Sequence, residues 1–169
     1  MARWLVRSFL AVTLCLGLVT AAAAQDDLER IPIEDWTLRC TKAEPPRCDL
    51  RQRVVNDQGK QILDFGMGYN AADQTFPVVL ELPLGILVQQ QIRFKVEEIE
   101  FGGMKVNRCL PTGCIVEAVA PVEMIDAMRK GQQGAVIVPL PDGKFAALVV
   151  SLRGFTAAAA ELIQRNSRT

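Results

Sequence analysis

The chain of 169 residues carries 19 basic and 19 acidic side chains and no histidine. That balance supplies no electrostatic drive toward nucleic acid or anionic lipid, and the missing imidazole removes Ser-His-Asp and Cys-His catalysis together with every histidine metal site. Half of the residues are hydrophobic, enough for one buried core of ordinary size.

The chain opens with Arg3 and Arg7, and Ser8 to Ala24 then runs without a charge. Its apolar centre, Phe9 to Val19, has the length of a secretory h-region and is short for a bilayer span. Ala22 and Ala24 satisfy the small-x-small rule, so the reading is a signal peptide over residues 1–24, cleaved before Gln25. An uncleaved anchor is the rival reading, at a cost in membrane thinning. A lipoprotein acceptor at Cys15 is disfavoured by the bulky Leu14 before it and by its place in mid-run. With the leader removed, residues 25–169 form a single slightly acidic domain. Its longest apolar run, Phe76 to Val88, is interrupted by Glu81, Pro83 and Gly85, so no transmembrane span is expected after signal removal.

Strand alternation dominates the rest of the chain. Trp36, Leu38 and Cys40 alternate with Thr37 and Arg39; Cys48, Leu50 and Val54 alternate with Asp49, Arg51 and Arg53. Asn56 to Gly59 is a turn composition. Leu63, Phe65, Met67 and Tyr69 then share a face opposite Asp64, Gly66 and Gly68, where the glycines predict a bulge or a close approach. Val78, Leu80 and Leu82 make the next strand; Pro83-Leu84-Gly85 breaks it, and Ile86 to Val88 reads as another short apolar piece. Ile92, Phe94 and Val96 come next, and Gly102-Gly103 reads as a hairpin turn into Met104 and Val106. Ile115 to Val119 is a further strand, and Ala135 to Leu140 with Lys144 to Leu152, joined by Pro141-Asp142-Gly143, is the clearest hairpin.

Two segments have helical signatures. Pro121 to Lys130 has proline in its first turn, Glu123 near its positive end, Arg129 and Lys130 near its negative end and Gly131 after it. Thr156 to Arg165 begins at a capping residue and places Ala159, Leu162 and Ile163 on one face. Many short strands with regular turns and two short peripheral helices predict an all-β sandwich.

Outside the leader the cysteines are Cys40, Cys48, Cys109 and Cys114. Four cysteines allow three connectivities, and spacing favours the local pairs 40–48 and 109–114, each flanking a turn between strands. Each such bridge contributes roughly 2–3 kcal/mol. A zinc site would show tighter spacing in both pairs, and Cys-Leu-Pro-Thr-Gly-Cys is longer than a redox Cys-x-x-Cys. No cofactor, metal ligand or catalytic residue is assigned.

Several motifs together carry a resemblance. Asp35-Trp36-Thr37-Leu38-Arg39-Cys40 followed by Cys48, Leu82-Pro83-Leu84-Gly85-Ile86, Cys109 with Gly113-Cys114, and Leu152-Arg153-Gly154-Phe155 occur in the order of the invasion-associated locus B family. The resemblance covers nearly all of the chain after the leader. It implies a secreted bacterial envelope protein with an immunoglobulin-like β-sandwich, in a family where some members are linked to host-cell invasion.

Three surface features compete for function. Arg39, Arg47, Arg51 and Arg53 make a candidate basic patch on the outer face of the first two strands, suited to a partner protein or an anionic envelope glycan. Glu97, Glu98 and Glu100 form the densest acidic cluster, with Glu98 and Glu100 expected on one strand face; the alternatives are a solvated, aggregation-resistant edge, a calcium site or an acid–base pair. Trp36, Phe155, Met124 and Met128 are expected in the core rather than on a docking surface. The leading expectation is therefore a non-enzymatic protein, periplasmic or secreted, attached to the outer membrane only through a partner if at all, and binding an envelope or host protein. A small periplasmic enzyme or enzyme inhibitor using the carboxylate cluster is the alternative.

Overall fold

The computed structural model describes residues 28–168, so the leader expected over residues 1–24 lies outside the described residues. Five strands run in succession as a meander: β1 (Leu28–Ile33), β2 (Trp36–Thr41), β3 (Cys48–Val55), β4 (Gln61–Gly68) and β5 (Phe76–Leu82). The chain crosses to a second layer for β6 (Ile92–Val96) and β7 (Ile99–Met104), then returns for β8 (Val106–Leu110) and β9 (Gly113–Ala120). Helix α1 (Val122–Lys130) carries it over again to the hairpin β10 (Gln133–Pro139) and β11 (Phe145–Ser151), and α2 (Phe155–Asn166) closes the fold.

The result is a β-sandwich of a seven-stranded sheet, β1-β2-β3-β4-β5-β9-β8, and a four-stranded sheet, β11-β10-β6-β7. Alternation sets which side chains meet between them. Trp36, Leu38, Leu50, Leu63, Phe65 and Leu80 from the large sheet are fully buried, as are Ile92, Phe94, Val136 and Val150 from the small one. Aromatic rings run through the core: Trp36 packs on Phe65 of its own sheet at 5.7 Å, Phe65 on Phe94 of the other sheet at 5.7 Å, and Trp36 on Phe155 of α2 at 5.2 Å between centroids. Such pairs contribute about 0.5–1.5 kcal/mol each beyond their area burial. Trp36, Phe155, Met124 and Met128 are thus core residues. Among the described residues, no helix is long and apolar enough to cross a membrane.

Both helices form where their sequence signatures stand. Helix α1 buries Met124, Ile125 and Met128 behind Pro121. Helix α2 begins one residue earlier than Thr156, because Gly154 takes a left-handed conformation, φ +81°, that turns the chain into the helix. A Cβ there would come within 2.9 Å of the Ile33 carbonyl oxygen. Thr156 instead donates its hydroxyl to the Arg129 carbonyl at 3.0 Å, joining the start of α2 to the end of α1.

The structure departs from the strand pattern in three places. Strand β1 pairs with β2 although only Leu28, Ile31 and Ile33 show alternation, since an edge strand needs little burial once its partner supplies hydrogen bonds. Ile86 to Val88 is a turn held by the Leu87 amide donating to the Pro139 carbonyl at 2.9 Å, not a strand. Gly102-Gly103 is not a hairpin turn: both glycines lie in β7, and Gly103, at φ +92°, stands where the chain prepares to leave one sheet for the other. The β6–β7 turn is made by Glu97 and Glu98.

At its other end α2 is fastened by one side chain. The Asn166 carbonyl oxygen accepts from the Cys48 amide at 2.9 Å, and its amide donates to the Cys48 and Tyr69 carbonyls at 3.0 Å. Asn166→Ala removes all three bonds from partly buried backbone, so it is expected to cost about 2 kcal/mol. Urea denaturation should show a lowered midpoint with an unchanged slope.

Candidate functional site

The outward positions of β2 and β3 gather three of the four arginines singled out in the sequence. Arg39 points its Nε and Nη2 at the two carboxylate oxygens of Asp49, at 3.0 and 2.6 Å. Arg51 bridges Asp49 and Asp64, Nε to Asp49 at 2.8 Å and Nη1 to Asp64 at 2.9 Å. Arg53 reaches the other Asp64 oxygen at 3.8 Å. The cross-strand register explains the array, since Arg39 faces Asp49 and Arg53 faces Asp64. Three guanidiniums on two carboxylates leave the row with one positive charge in excess.

Gly66 makes this packing possible. It sits opposite Arg51 in the register, and a Cβ there would lie 2.7 Å from the Arg51 Cζ. The glycine expected to mark a close approach therefore admits an arginine side chain. Burial of Arg51 opposes its charge, but hydrogen bonds to Asp49 and Asp64 outweigh that penalty, and its pKa is raised. Arg39 and Arg51 are consequently fixed in direction, whereas Arg53 remains two-thirds exposed.

Arg47 is not part of this row. It stands in the β2–β3 connection, where its backbone amide donates to the Thr41 hydroxyl at 2.9 Å. There it borders a shallow cleft of about 480 Å³ with Tyr69, Asn70, Gly68 and Pro77. Gly68 is opposite Asp49, so the cleft continues the arginine face beyond the Cys40–Cys48 disulfide. A second disulfide joins Cys109 to Cys114 across β8 and β9.

The acidic cluster is dispersed. The Glu97 carboxylate accepts from the Gln132 and Gln133 amides at 2.8 and 3.1 Å, and those bonds lower its pKa. Its backbone is left-handed, φ +48°, and the carboxylate anchors the turn to β10. Glu98 pairs with Lys95 at 3.1 Å and Glu100 with Arg93 at 2.6 Å. Because Glu98 lies in the turn and not in a strand, it does not share a strand face with Glu100. No group of three or more His, Cys, Asp or Glu among the described residues is placed to hold a metal ion. Between the sheets a partly open cavity of about 310 Å³ is lined by Val78, Phe94, Phe101, Met104 and Met124 together with Glu100.

Two side chains that the strand pattern passes over hold the layers together. Gln52 occupies an inward position between Leu50 and Val54, the one buried polar side chain among the described residues. Its amide donates to the Ser151 carbonyl at 2.9 Å and the Asp35 carbonyl at 3.2 Å, and its oxygen accepts from the Ser151 amide at 2.8 Å. Asp35 takes the Ser151 hydroxyl at 2.6 Å and Arg153 Nη2 at 2.5 Å. The hydrogen bond from Arg153, then that from Ser151, lowers the Asp35 pKa. A polar residue in the apolar phase of a strand was the available signal for Gln52.

Comparisons with known proteins agree with this fold. A family model described as Invasion associated locus B (IalB) protein matches residues 36–162. Invasion protein B of Bartonella bacilliformis is 28% identical over 103 residues, covering 58% of this chain and 53% of that protein. The chain thus spans about half the length of that curated relative. The crystal structure of invasion associated protein b from Bartonella henselae superposes with a TM-score of 0.71 at 28% identity, covering 80% of this chain and 96% of that one.

Asp35 makes acid stability specific. Its folded pKa lies below the ordinary value of 3.8, so its contribution is present above that value and is lost as pH falls through the lower folded one. Asp35→Asn should lower the denaturation midpoint near neutral pH and flatten its fall in acid, measured by urea unfolding at a series of pH values. Equal acid sensitivity in both proteins would remove Asp35 from that role.

Proposed function

The chain belongs to the invasion-associated locus B family, and from this premise we propose that it is an exported, non-enzymatic envelope protein that binds a protein or surface partner. In this reading residues 1–24 are a signal peptide, and residues 25–169 act in the periplasm or outside the cell. The basic start, the short apolar run and the small residues before Gln25 support export, and two disulfides suit an oxidising compartment. The relatives bear the name of invasion proteins, which supports action at the envelope or the cell surface.

The observation that carries the reading is the fixed arginine face. Asp49 and Asp64 hold the Arg39 and Arg51 guanidiniums in place before any partner arrives, so those two lose little side-chain entropy on binding. Aspartate-held Arg39 and Arg51 give the surface its shape, while the exposed Arg53 and Arg47 are the groups available to an acidic or anionic partner. Arginine at an interface offers planar, bidentate recognition of carboxylates and phosphates.

Crosslinking in intact cells tests this directly. Arg47→Glu with Arg53→Glu should cut recovery of the crosslinked partner by about tenfold, with both disulfides formed and the circular-dichroism spectrum unchanged. Undiminished crosslinks to the charge-reversed protein would discard this face as the binding surface. Mass measurement of the native polypeptide checks export separately, the expected N-terminus being Gln25.

A further inference from the structure

We infer that β11 is the seam of a homodimer, in which two copies pair antiparallel through this strand and join their four-stranded sheets. Each sheet ends in two edge strands, and three of the four ends are guarded. Strand β1 carries Glu29, Arg30 and Pro32, β7 carries Glu100, and β8 carries Arg108 beside a disulfide. Charges and proline at an edge oppose pairing with another chain. Strand β11, Phe-Ala-Ala-Leu-Val-Val-Ser, has neither.

The direction of its peptide groups is set by the hydrogen bonds inside the molecule. The Leu152 amide donates to the Gln132 carbonyl of the chain leading into β10, so residues of that parity, including Val150, Leu148 and Ala146, face β10. Ser151 faces the other way, and Gln52 satisfies both its amide and its carbonyl. By strand alternation Phe145, Ala147 and Val149 also turn their amides and carbonyls away from β10. A side chain thus completes one step of the edge, and among the described residues no strand pairs with the other three. Beside them lies an open cleft of about 450 Å³ lined by Val149, Val54, Val55 and Arg53.

Charge decides the occupant. In a twofold pairing every residue meets residues of its own strand, so a charged strand would face its own sign. An uncharged strand escapes that repulsion. Centring the axis on Ala147 places Phe145 opposite Val149 of the second copy and Ala147 opposite its counterpart. This register exchanges about six hydrogen bonds and sets the largest outward side chain beside a β-branched one. Phe145 and Val149 are 53% and 44% exposed and lie on the outer face, where they would form one apolar cluster across the axis. The Arg93 guanidinium stacks over the Phe145 ring, 4.7 Å from its centroid. The seam is on the small sheet; Arg53 of the arginine face lines the cleft beside it, but the paired peptide groups belong to β11 alone, and the inference does not depend on the function proposed for that face.

Sedimentation of the disulfide-bonded protein over a range of concentrations tests the inference. The expected result is a dimer that Val149→Lys dissociates, raising the dissociation constant by at least about tenfold, with unchanged circular dichroism. Ala147→Pro, which removes an outward amide that no described strand uses, should act in the same direction. Hydrogen exchange at Ala147 and Val149 should slow as concentration rises. A monomer up to about 100 μM, a dimer unaffected by Val149→Lys, or a monomer whose β11 edge takes up only a foreign extended peptide would each overturn it.

Discussion

Asp35 and Arg153, 118 residues apart, are the point on which the first and last parts of the described fold close. The carboxylate in the β1–β2 turn accepts from the guanidinium that precedes α2, and the residues on either side complete the fit. Trp36 lays its ring against Phe155, and Gly154 passes so close to Ile33 and Glu34 that a side chain there would collide. An exposed ion pair alone contributes little. Its weight here comes from what it aligns: the ring contacts at the centre of the core, and the Gln52 amide that fastens β11 to the opposite layer. Two of the motifs that carry the family resemblance are thus the two halves of one contact.

The alternating arginines show how a surface feature depends on its neighbours. Read along a strand, Arg39, Arg51 and Arg53 are an unrelieved basic stripe. Across strands, Asp49 and Asp64 interleave with them, and the stripe becomes a lattice of paired charges with a small positive remainder. Such a lattice is stiff, and its stiffness rests on Gly66, whose missing side chain lets Arg51 lie flat. Arg47 differs from the others because it leaves the strand for the connecting loop, where it meets a cleft instead of a carboxylate.

How much of the molecule is legible in its sequence depends on how local the controlling physics is. Period-two burial in β2, β3, β4, β5 and β6 is a property of each strand alone, so those elements and their core residues were legible. So were the helices, whose charges and flanking glycines or proline act within a turn of the ends. The cysteine pairs could be seen because the strands that carry them are consecutive. The β6–β7 turn was not legible, because Glu97 tolerates its left-handed backbone only by bonding to amides 35 and 36 residues away. The aspartate partners of the arginines depend on register, and Gln52 depends on a strand it meets 99 residues later. The edge strand β1 buried too little to announce itself.

The two disulfides close rings between residues only 8 and 5 positions apart, each directly across a strand pair. Small rings form sooner than large ones, because an unfolded chain brings near neighbours together most often. Correct sulfur partners therefore meet while the layers are still apart, and mispairing requires a thiol to bypass its nearest companion. Oxidation can precede tertiary assembly without committing the chain to a wrong topology, which lessens its need for a shuffling catalyst.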